Sequence, residues 1–187
     1  MGRRHVVATV SVAAVVWVTG VACGSGDLST TLTTPTSPAM QIPVGPAPAW
    51  VAAYCARVGR IVEAPVLCPT VTPTGIRKTG NLEALPPAPE GYVFEGEADT
   101  HWVFGASPGS VEGDYGPMRH LGDTSVGGES ATWLAAPESA GIHAGHLVLT
   151  WRSGGFHYVV SAHTAEPSSE PLRRALLEVA SGMRSYR

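Results

Sequence analysis

The chain predicts an α+β fold, in which an antiparallel curved sheet of about five to seven strands carries a short N-terminal helix and a C-terminal amphipathic helix packed on it. Three observations lead there. Residues 147–162, LVLTWRSGGFHYVVSA, hold two apolar-alternating runs around Ser153-Gly154-Gly155, the pattern of a hairpin with one buried face. Leu172, Leu176, Val179 and Met183 recur at helical spacing, which marks an apolar stripe. With Gly 22, Pro 16 and only 14% charged residues, the composition suits a loop-rich secreted domain better than a helical bundle.

In the hairpin, Leu147, Leu149 and Trp151 share one face of the first run. Phe156, Tyr158, Val160 and Ala162 share one face of the second, opposite His157, Val159, Ser161 and His163. Two registers fit. A Gly154-Gly155 turn sets Trp151 against Tyr158 and Leu149 against Val160. A Ser153-Gly154 turn sets Trp151 against Phe156 and Leu149 against Tyr158. The two differ by a shift of two residues, so both turn the same face inward. Downstream, Ser168 or Ser169 can cap a helix whose first turn tolerates Pro171. Ala175 and Ala180 flank its apolar stripe, Arg173, Arg174, Glu178 and Arg184 fall largely away from it, and Gly182 weakens its last turn.

Earlier elements are shorter. Trp50, Val51, Tyr54 and Val58 have helical spacing, predicting a helix over 50–62. Residues 64–70 read as a short extended segment closed by prolines. Residues 92–97 and 100–104 flank Ala98-Asp99 as a second hairpin. The Gly-rich stretch 107–128 is weakly patterned, with a strand near Arg119-His120-Leu121, and 131–135 reads as another strand. Pro86-Pro87-Ala88-Pro89 forms a rigid extended piece.

The first 22 residues differ in kind. Arg3-Arg4-His5 precede a 17-residue uncharged run, 6–22. A basic start, an apolar run and a small residue before the break read as a secretory signal. The run is at the short edge for spanning a bilayer as an uncleaved anchor. Residues 23–48 are rich in Ser, Thr, Pro and Gly and nearly uncharged, the composition of a disordered tether. Residues 49–187 then form a single globular domain.

Cys23 follows Gly20-Val21-Ala22 and precedes Gly24-Ser25-Gly26. This resembles the lipobox of bacterial lipoproteins, with Gly20 standing where that motif usually has an aliphatic residue. The resemblance implies that Cys23 is acylated, becomes the mature N-terminus and holds the protein on the extracytoplasmic face of the cell membrane. Two or more acyl chains anchor stably where one does not. Cys55 and Cys68 enclose a short loop in what is then an oxidising compartment, where they form a disulfide or remain two buried thiols. If they pair, Cys23 is the odd cysteine left over. There is no Cys-x-x-Cys, so thioredoxin-like chemistry and a zinc ribbon lack support. The domain as a whole looks like small secreted domains in bacterial lipoproteins and anti-sigma-type regulators. It loosely resembles the lipoprotein-carrier half-barrel, in which a curved sheet wraps a helix. That resemblance implies lipid or partner binding and assigns no residue a role.

Signals for chemistry are weak. A net charge of −3 gives no field favouring nucleic acid, and there is no Walker loop or dinucleotide fingerprint. No cofactor is expected. Gly105-Ala106-Ser107-Pro108-Gly109 formally matches the G-x-S-x-G pattern, but Pro108-Gly109 is a poor helix start for a nucleophile elbow. A Gly154-Gly155 turn places His146 opposite His163 on the face away from the core, with His143 three residues upstream. Imidazoles so paired can hold Zn²⁺ or Cu²⁺ given a third ligand; otherwise they are exposed strand histidines. Glu95, Glu97 and Asp99 alternate as a solvated face, and Glu112 and Asp114 lack EF-hand spacing. The expected function is that of a non-enzymatic, membrane-anchored lipoprotein that binds a lipid, an envelope component or a protein partner. The alternative is an envelope hydrolase or metal-binding protein using Ser107 or the His143/His146/His163 group.

Overall fold

A Gly-Gly turn sets the register of the central strands. β9 (His146–Ser153) and β10 (Phe156–His163) pair antiparallel with Trp151 opposite Tyr158, Leu149 opposite Val160 and His146 opposite His163. Gly154 and Gly155 have φ of 56° and 86°, the two positive values that a type I′ turn demands. These details come from a computed structural model that describes residues 41–63, 65–79, 91–109, 115–163 and 169–186. Around this hairpin lie β4 (Arg77–Lys78), β5 (Tyr92–Glu97), β6 (His101–Ser107), β7 (Arg119–Val126) and β8 (Glu129–Ala135). All seven strands form one antiparallel sheet in the order β4-β5-β6-β10-β9-β8-β7.

The two helices among the described residues are α1 (Ala49–Val62) and α2 (Glu170–Ser181). They deliver Val51, Tyr54 and Val58, and Leu172, Leu176 and Val179, to one face of the sheet. Alternation supplies the other half of that core. It comes from Tyr92 and Phe94 on β5, Trp102 and Phe104 on β6, Trp133 on β8, Leu147, Leu149 and Trp151 on β9, and Tyr158 and Val160 on β10. Burying a large apolar side chain contributes about 1.5–3 kcal/mol, so this face dominates the stability. The side chains named here are buried.

Short strands close the ends of the helix layer. β2 (Val66–Pro69) pairs with β11 (Met183–Tyr186), and β1 (Val44–Pro46) pairs with β3 (Val71–Pro73). Two sheet tyrosines hold the Leu67 peptide of β2. Tyr92 Oη donates to Leu67 O, and Leu67 N donates to Tyr158 Oη at 3.2 Å. Burial, and then the neighbouring Tyr158 and Tyr54, push the Tyr92 hydroxyl well above the usual phenol range, so it stays a donor. A disulfide joins Cys55 on α1 to Cys68 on β2, with Cα atoms 6.2 Å apart.

Three details differ from the sequence reading. Met183 opens β11 and does not close the helix. Gly182 caps the helix, where a Cβ would lie 2.6 Å from Val71 Cγ2, and the chain then pairs with β2 from Met183 onward. Ordered structure also begins upstream of residue 49. β1 pairs Val44 with Pro73, Ala47 N donates to Thr70 O at 2.9 Å, and Ile42 and Val44 pack on the core. One compact unit accordingly spans Ser37–Arg187. Finally, the strand read near Arg119-His120-Leu121 is longer than its pattern suggested, since β7 runs on to Val126. Gly127 and Gly128, with φ of 59° and 90°, repeat the Gly-Gly device between β7 and β8.

The signal run 6–22, Cys23, the segment 86–89, Glu112 and Asp114 lie outside the described residues. Among the described residues no helix is long and apolar enough to cross a membrane.

Candidate functional site

Strand parity sends a second set of residues to the face away from the helices. β6 places His101 and Val103 there, β9 His146 and Val148, and β10 Val159, Ser161 and His163. This face is covered in part. Tyr115, from the chain before β7, and Ala136, after β8, bury against Val148 and Val159, with Met118, Leu134 and Ala140 packed around them. The β8–β9 connection, which includes a 3₁₀ turn at Gly141–His143, runs over the same patch. His146 is therefore 0% exposed. The expectation of exposed strand histidines holds at His163 and fails at His146, because sheet parity says which face a side chain takes, not what lies over it.

Four imidazoles meet here. The rings of His101, His143 and His163 lie 5.2, 5.4 and 5.7 Å from that of His146, centroid to centroid. Tyr115 stacks at a tilt on His143 at 4.5 Å. His146 Nδ1 lies 2.9 Å from Ser161 Oγ, which lies 2.8 Å from Tyr115 Oη. His146 Nε2 is buried with no hydrogen-bond partner among the described residues. The tautomer with its hydrogen on Nδ1 donates to Ser161 and leaves Nε2 a bare acceptor, avoiding a buried unpaired N–H. His163 Nδ1 donates to Ala144 O at 2.7 Å, and His101 Nε2 lies 3.3 Å from Glu95 Oε2. Burial, and then the proximity of His101, His143 and His163, lower the His146 pKa to about 3. The ring is neutral at pH 7.

The arrangement limits what chemistry is on offer. His143, His146 and His163 are brought together, but the other rings surround His146 itself. Among the described residues no three His, Cys, Asp or Glu side chains are placed to hold one metal ion. Ser161 and His146 are both 0% exposed, so their hydrogen bond offers no nucleophile to a substrate. Ser107 is the last residue of β6, opposite His157. Its Oγ accepts from Gly109 N at 3.1 Å, which closes a local turn. A hydrolase serine instead sits on a strained strand-to-helix elbow.

Sequence reasoning found His143, His146 and His163 and missed His101 and Tyr115. His101 joins the cluster through β6–β10 pairing, which is not local in sequence. Tyr115 is a lone aromatic in a Gly-rich stretch, where no periodicity assigns it a face. No family model matches this chain, and no curated protein or solved structure matches it.

Proposed function

We propose that the protein is a non-enzymatic lipoprotein, held on the extracytoplasmic face of the cell membrane by acylation at Cys23, whose domain binds an envelope component, a lipid or a protein partner. The observation that carries this reading is cysteine parity. The Cys55–Cys68 disulfide uses two of the three cysteines. The one left over stands in the lipobox-like Val21-Ala22-Cys23-Gly24. A disulfide also suits an oxidising compartment. The burial of Ser161 and His146 and the turn-locked Ser107 weigh against a hydrolase.

The test is Cys23→Ser in a bacterial host that processes lipoproteins. The wild type is expected in the membrane fraction, with a mature N-terminus whose mass carries acyl groups on Cys23. The variant is expected to lose those groups and leave the membrane fraction on mild extraction. A wild-type chain with an intact Met1 and a bare Cys23 thiol would overturn the proposal.

A further inference from the structure

We draw no further inference here: the strongest candidate, the cluster of His101, His143, His146 and His163 on the sheet face away from the helices, belongs to the site already described, where among the described residues no three side chains are placed to hold one metal ion and a pH response would rest on the lowered pKa of His146 alone.

Discussion

Phe94→Ala is expected to destabilise the domain by about 3–5 kcal/mol, the range for removing a buried phenylalanine ring. Phe94 is fully buried on β5 and forms the hub of an aromatic group. Its ring stacks on Phe104 at 4.7 Å and on Tyr92 at 6.1 Å, and it meets Tyr54 at 5.4 Å and Trp50 at 5.8 Å edge-on. Those partners come from the sheet and from α1, so the ring holds the N-terminal helix to its strand layer. Truncation leaves a cavity walled by large flat side chains that cannot collapse into it without leaving their rotamers. Phe94→Leu keeps most of the volume and should cost about 1.5 kcal/mol or less. Denaturant unfolding followed by tryptophan fluorescence checks both. A Phe94→Ala midpoint close to the wild type would mean that α1 is not anchored here.

The same core shows what the sequence could reveal. Parity along 147–162 was sufficient to turn Leu149, Trp151, Tyr158 and Val160 to one face, because a strand's period is fixed by backbone geometry. Of the two registers that parity allowed, the structure takes the one with Trp151 against Tyr158, where Gly154 and Gly155 supply the two positive φ values of a type I′ turn. Helical spacing at Val51, Tyr54 and Val58, and at Leu172, Leu176 and Val179, likewise marked the two helices. What stayed hidden was set by contacts distant along the chain. Nothing near Met183 says that β2 will claim it as a strand partner. Nothing in the short apolar segment 42–47 says that it will add a strand beside β3. The histidine cluster was half visible for the same reason. The turn register brought His146 to His163, but His101 and the covering Tyr115 arrive through tertiary packing. Their arrival converts an apparently solvated histidine into a buried neutral one.

Removing the disulfide by Cys55→Ala together with Cys68→Ala is expected to cost about 3 kcal/mol, the value for a loop of roughly fifteen residues in the chain-entropy account. The two cysteines are 13 residues apart in sequence and both fully buried. That is a substantial part of the roughly 5–15 kcal/mol by which domains are stable. The native geometry should survive, because β2 is held independently. Its peptide at Leu67 is gripped by Tyr92 and Tyr158, and its backbone pairs with β11 from Met183 to Tyr186. The loss therefore falls mainly on the unfolded side, where the freed loop gains conformations. Two readouts separate this from a packing defect. The denaturant m-value should rise, since a less constrained unfolded chain exposes more surface. Reducing the wild type should reproduce the double variant's midpoint. If the double variant unfolds at the wild-type midpoint, the cross-link contributes nothing to folding. The pairing of Cys55 with Cys68 would then give no physical reason for this domain to fold in an oxidising compartment.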